Sequence, residues 1–186
     1  MQRKENIAVF CASSMGNHSS YAEQAKQLGR ILAKQKRTLV YGGSNCGMMG
    51  ALANATLENG GKILAMQLSC YLDEVVQKEG VTMEIFETLA ERKIALIGKC
   101  DACIALPGGI GTLDELFEVY ALAQSGAVVR PIGLLNIDGY YNGLLQFLKR
   151  GIADGLIAEK YKKMFLVSDT PDAMLSLLDQ QTDEIL

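Results

Sequence analysis

Short apolar runs alternate with helix-patterned stretches along most of this chain, and that alternation restricts its folding more than any other feature. Strands are expected near Asn6–Cys11, Thr38–Tyr41, Lys62–Gln67, Thr82–Phe86, Asp101–Leu106, Pro131–Asn136 and Met164–Val167. Helical patterns fall near Ser20–Gln35, Met48–Asn59, Leu89–Lys99, Thr112–Gln124, Asn142–Ala153 and Pro171–Asp179. Strands that are apolar throughout, rather than at alternate positions, must be buried on both faces. With helices between them, that implies a parallel sheet covered on each side. Gly60-Gly61 is placed to end the second helix through a left-handed residue. Ser20-x-x-Glu23 has capping-box spacing at the start of the first. No repeat, low-complexity tract or linker interrupts the pattern. The expectation is one α/β domain over residues 1–186, Rossmann-like and doubly wound, with a parallel sheet of about seven strands flanked by helices.

A length of 186 residues allows a sizeable core, and 49% apolar residues with three prolines argue against disorder. A net charge of −3 and the absence of Trp disfavour a nucleic-acid partner, which calls for a basic face or a stacking platform. Phosphate binding stays open, because backbone N–H groups hold an anion without net positive charge. The polar start Met1–Glu5 does not resemble a signal peptide, and no apolar run approaches the roughly 20 residues that span a bilayer. Five cysteines scattered through apolar segments suit a reducing compartment better than a disulfide framework. A cytoplasmic protein without membrane contact is therefore expected.

Open α/β sheets bind ligands beyond the carboxyl ends of their strands. Three loops in that position stand out: Ala12–Ser19, Gly42–Gly50 and Pro107–Thr112. Gly42 and Gly47 have the outer spacing of a Walker A loop, but Met48-Met49 replaces the Lys-Ser/Thr that would clamp phosphate and Mg²⁺. Neither that loop nor the one after the first strand reads G-x-G-x-x-G, which disfavours a nicotinamide cofactor. The glycines of Gly42–Gly50 suit tight turns and close packing equally well.

Pro107-Gly108-Gly109-Ile110-Gly111-Thr112 is the stronger signal. It follows an expected strand, and a helix is expected to begin at about Thr112. Glycines admit a ligand to the backbone, while a helix N-terminus offers unpaired N–H groups and partial positive charge. That combination suits a single phosphate. Thr112-x-x-Glu115 also has capping-box spacing, so Glu115 is either a cap or a chemical carboxylate, and Asp114 can simply complement the helix dipole. Arg92 and Lys93 flank the apolar stripe of Leu89 and Leu96, which turns them inward or to the rim of a cleft. Snorkelling or pairing with a carboxylate is the other reading. Cys100-x-x-Cys103 has redox spacing, but Cys103 falls inside an apolar strand, so both read as buried structural cysteines. No metal site is expected, since zinc needs further ligands and the single histidine, His18, reads as a loop residue.

The set Tyr41-Gly42-Gly43, Gly47-Met48-Met49-Gly50, Glu91-Arg92-Lys93, Pro107-Gly108-Gly109-x-Gly111-Thr112-x-x-Glu115 and Gly133-Leu-Leu-Asn-x-Asp-Gly139-Tyr140-Tyr141 resembles the Lonely-Guy family. Its members are cytokinin riboside 5′-monophosphate phosphoribohydrolases, long mislabelled as lysine decarboxylases. The resemblance runs in order along nearly the whole chain. It implies release of a free base and ribose 5-phosphate from a nucleoside 5′-monophosphate, without metal or cofactor. It also implies that Arg92 and Glu115 are catalytic and that Gly108, Gly109, Ile110, Gly111 and Thr112 cradle the phosphate. Glu74, Lys93 and Asp114 would help hold the nucleotide, and Gly43 and Ser13 from the other two loops complete the expected substrate-binding set.

Departures from the family concern the base. Leu89-Ala90 stands where Met-His is usual, the segment Ala121–Val128 departs at Ala121, Leu122, Ser125, Ala127 and Val128, and a Pro common after the third strand is replaced around Gln67. Plain AMP fits these positions as well as an isoprenylated nucleotide does. A relative that binds a nucleotide or phosphorylated cofactor without cleaving it is the alternative. A decarboxylase would need a lysine for pyridoxal phosphate, and neither glycine loop has one. The helix 112–124 is apolar nearly all round, so it is deeply buried or packed against a partner. Because family members are typically dimers, a homodimer through this helix is expected.

Overall fold

The computed structural model describes residues 3–74, 79–128 and 130–181. Seven strands form one parallel sheet: β1 (Asn6–Phe10), β2 (Thr38–Tyr41), β3 (Lys62–Leu68), β4 (Val81–Phe86), β5 (Ala102–Ala105), β6 (Ile132–Leu135) and β7 (Phe165–Ser168). Their order is β4-β3-β2-β1-β5-β6-β7. The helices are α1 (Ser19–Lys34), α2 (Gly47–Glu58), α3 (Leu89–Gly98), α4 (Ile110–Gln124), α5 (Asn142–Ala153) and α6 (Pro171–Gln180). The expected elements are all present, with ends displaced by one or two residues. Three short 3₁₀ segments, Ser69–Glu74, Ile137–Gly139 and Glu159–Lys163, were not expected.

The uninterrupted apolar strands have the predicted cause. Ile7 and Val9 of β1 point into a core shared with α1, α2 and α6, while Ala8 and Phe10 point into a second core under α3 and α4. All four are buried to within 1% exposure. Each large side chain so buried contributes about 1.5–3 kcal/mol, and only a strand apolar at every position can supply both layers. The chain winds outward from β1 to β4, then returns to place β5 on the other side of β1. That reversal opens a crevice at the carboxyl ends of β1 and β5.

Element ends follow local chemistry, with one correction. Gly60 takes the left-handed conformation (φ +72°) and closes α2, its N–H donating to Leu57 as that of Gly61 donates to Thr56. The expected Ser20–Glu23 capping box does not form. His18 occupies the cap position of α1 without a side-chain bond, and Ser20, already inside the helix, donates instead to Asp138. A capping box does exist at Thr88–Glu91, where it starts α3 just ahead of Arg92. At the opposite end of the sheet, Arg37 bonds both carboxylate oxygens of Asp179, at 2.9 and 2.6 Å, and the Lys4 carbonyl at 2.8 Å. This ties α6 to the strand starts.

Candidate active site

The three sequence-selected loops meet around one cavity of about 550 Å³ at the crevice between β1 and β5. The Gly42–Gly50 loop is there for packing. The N–H groups of Met48 and Met49, at the start of α2, donate to the carbonyls of Ser14 and Ala12, so that helix end is occupied by protein. Gly47 is left-handed (φ +55°), and a Cβ there would lie 2.3 Å from the Ser13 carbonyl. A Cβ on Gly42 would lie 2.2 Å from Nη2 of Arg92, so this glycine makes room for the guanidinium. Gly43 (φ +86°) backs onto Gln67 and does not line the cavity, whereas Ser13 does.

The loop after β5 is different. A Cβ on Gly108 would strike Thr112 Oγ1 at 2.1 Å, but Gly109 and Gly111 have no heavy atom within 4 Å of a Cβ position. Neither takes a positive φ. Packing and backbone conformation therefore leave these two glycines unexplained, and both face the cavity. The helix that follows starts at Ile110, not at Thr112 as expected, with Gly109 as a cap that has no side-chain bond. Its first N–H groups have no partner within the helix and flank the cavity.

Starting α4 earlier also removes the predicted cap. Thr112 is now the third helical residue and buried, so no Thr112–Glu115 capping box exists. Glu115 instead meets Arg92: Nη2 lies 3.2 Å from Oε1, and the two side chains are 13% and 16% exposed. Arg92 Nε also donates to the Met66 carbonyl at the end of β3, at 2.8 Å, which fixes the guanidinium plane. Burial raises the Glu115 pKa, as does the charge of Asp114, while Arg92 and Lys93 pull it down. The balance is a carboxyl above its ordinary range. Beneath it lies Cys11, whose thiol burial and the Glu115 charge push far up, keeping it protonated.

The other expected residues separate into two groups. Ile110, Gly111, Thr112 and Asp114 line the cavity; Gly108 and Lys93 do not. Lys93 bridges Asp114 and Glu118 at 3.1 and 3.0 Å, joining α3 to α4, which is the carboxylate pairing left open by the sequence. Glu74 closes the 3₁₀ segment after β3, and its side chain is outside the described residues. Gln67 and Leu89, marked in the sequence only as departures from the family, complete the wall with Leu68 and Tyr71, which sequence reasoning missed. The only signal for the last two is position, at or beyond the carboxyl end of β3. His18 lies in a loop against Tyr21, and Cys100 and Cys103 are buried, as the sequence suggested. Among the described residues no cluster of His, Cys, Asp and Glu is placed to hold a metal, and no helix is long and apolar enough to cross a membrane.

The profile of a family described as "possible lysine decarboxylase" matches residues 49–178. Probable cytokinin riboside 5′-monophosphate phosphoribohydrolase LOGL9 of Oryza sativa subsp. japonica is 41% identical over 173 residues, which is 92% of this chain and 75% of that protein. Cytokinin riboside 5′-monophosphate phosphoribohydrolase LOG5 of Arabidopsis thaliana is 37% identical over 95% of this chain and 78% of its own length. Among solved structures, the Moco carrier protein of Chlamydomonas reinhardtii superposes with a TM-score of 0.71 at 19% identity, covering 96% of this chain and 97% of that one. At that identity the likeness establishes the fold.

Proposed function

The chain belongs to the Lonely-Guy family of cytokinin riboside 5′-monophosphate phosphoribohydrolases, and from that premise we propose that it hydrolyses the N-glycosidic bond of a nucleoside 5′-monophosphate. The observation that carries the reading is the Arg92–Glu115 pair, set into the wall of a cavity whose other side is the open N-terminus of α4. The phosphate sits on Gly108–Thr112, where Gly109 and Gly111 leave room and the helix N–H groups supply donors.

Cleavage develops positive charge on the ribose as the C1′–N bond breaks and its electron pair leaves with the base. Glu115 opposes that charge and accepts a proton from the attacking water, whose oxygen bonds to C1′. The proton taken up by Glu115 passes through solvent to the departing nitrogen, giving free base and ribose 5-phosphate and restoring the carboxylate. Burial tunes Glu115 toward the basicity that proton transfer near neutrality requires, while Arg92 keeps it charged and oriented. Ser13 and Asp114 meet the nucleotide from the wall, and Lys93 acts through Asp114. Gly43 shapes its loop. Leu68, Tyr71 and Leu89 offer the base an apolar surface that takes plain adenine as well as an isoprenylated purine. The cavity lining contains no lysine among the described residues, which disfavours the Schiff base a decarboxylase would need.

The protein acts as one domain over residues 1–186, in the cytoplasm, where its five free cysteines stay reduced. It is a homodimer through α4, whose first residue Ile110 is exposed and whose Leu113 and Phe117 are half-buried against the core under α3 and α4. Incubation with AMP and with isopentenyladenosine 5′-monophosphate, assayed for free base, tests the activity. Release from a monophosphate but not from the matching nucleoside is expected. No release from any nucleoside monophosphate would overturn the reading in favour of a binding protein.

A further inference from the structure

The turn after β6 is held by more bonds than a connection needs, and it touches the phosphate loop without reaching the cavity. Tyr140 donates its hydroxyl to the Gly108 carbonyl, and Tyr141 donates to the Leu106 carbonyl, each at 2.6 Å. Delivering them requires two consecutive left-handed residues, Asp138 (φ +52°) and Gly139 (φ +72°). Asp tolerates that conformation better than most residues, and here surrounding bonds hold it in place. Asn136 accepts from the Tyr141 N–H at 2.7 Å and donates to Asn142 at 2.8 Å, while Ser20 holds the Asp138 carboxylate. The Tyr140 ring stands edge-on to Tyr21 and Tyr141, with centroids 5.7 and 5.0 Å away. Burial keeps the Tyr141 phenol protonated far beyond its usual range.

The two hydroxyls act on different peptide units. Leu106 is followed by Pro107, so the peptide held by Tyr141 has no N–H to aim. Gly108 is followed by Gly109, and in a planar trans peptide the carbonyl and the N–H point in opposite directions. Drawing the Gly108 carbonyl toward Tyr140 turns the Gly109 N–H away from it, toward the side where the cavity opens. A peptide between two glycines is also the easiest to flip, and a flip would aim a carbonyl oxygen at an anion. We propose that Tyr140 is a positioning residue, whose hydroxyl locks the Gly108–Gly109 peptide so that the Gly109 N–H joins the α4 N-terminus in binding the substrate phosphate. This rests on the phosphate site proposed above.

Tyr140→Phe removes the hydroxyl and keeps the ring contacts. Affinities of AMP and adenosine, measured by calorimetry on wild type, Tyr140→Phe and Tyr141→Phe, each carrying Glu115→Gln so that AMP is not hydrolysed, separate the possibilities. The AMP-over-adenosine ratio should fall about tenfold in Tyr140→Phe, as expected for losing one charge-assisted bond. In kinetics Tyr140→Phe with Glu115 intact should raise KM for the monophosphate while turnover at saturation is kept. Tyr141→Phe should lower the melting temperature and leave the ratio intact. A wild-type ratio retained by Tyr140→Phe, whatever its melting temperature, overturns the proposal. A wild type that binds AMP no better than adenosine overturns the phosphate site itself, and the role of Tyr140 with it.

Discussion

At Glu115, burial and charge pull in opposite directions. Burial raises its pKa and the neighbouring Asp114 adds to that, while Arg92 and Lys93 oppose them without fully cancelling the effect. A carboxyl whose folded pKa is raised keeps its favourable contribution below the unfolded value and loses it as pH rises through the folded one. Ionised Glu115 is therefore a stability cost carried at neutral pH. Glu115→Gln should lower turnover by about 10²–10⁴-fold, the range for a missing acid–base group. Its melting temperature, relative to wild type, should rise as pH increases above 4.5, the ordinary Glu value. A difference that stays constant between pH 4 and 7 would show that the carboxyl is not perturbed, and retained turnover would make it structural. Which side chain Glu115 faces could not be read from its spacing. Thr112-x-x-Glu115 fits a capping box, and only the earlier helix start takes that role away.

The glycine-rich elements illustrate how one residue type serves two ends. Gly47 needs its left-handed backbone and would drive a methyl into the Ser13 main chain. Gly109 and Gly111 need neither, and their Cβ positions look into open space. Gly47→Ala should destabilise the protein by about 1–3 kcal/mol through strain and displaced backbone. Gly109→Ala and Gly111→Ala should fold at least as well as wild type, yet raise KM for a nucleoside monophosphate, because the methyl fills the phosphate cradle. Thermal melts paired with kinetics on the three variants check this, and an unchanged KM in both loop variants would sink the cradle. From sequence both loops are strand–glycine–helix patterns. What separates them is that α2 spends its first donors on the loop after β1, whereas α4 keeps its own free of helix partners.

Across the whole molecule, the sheet order creates the crevice, and everything chemical gathers at its rim. The exposed start of α4 at Ile110 lies on that same rim, so dimerisation through this helix would cover surface beside the site. Sedimentation at micromolar concentration should give twice the 20.1 kDa chain mass, and a monomer would count against the interface. The sequence by itself determined the parallel α/β architecture, because strands apolar at every position tolerate only a sheet covered on both faces. It also pointed to the loops that surround the cavity, since those follow from strand ends and glycine content, and to the family to which the chain belongs. Only the tertiary structure decided the rest: the pairing of Arg92 with Glu115, the enclosure of Lys93 between two carboxylates, and the placing of Tyr140 against the Pro107–Thr112 loop. The reason is physical. Periodicity and local propensity act over a few residues, whereas these contacts join positions 23, 21 and 32 apart, brought together by burial rather than by neighbours in the chain.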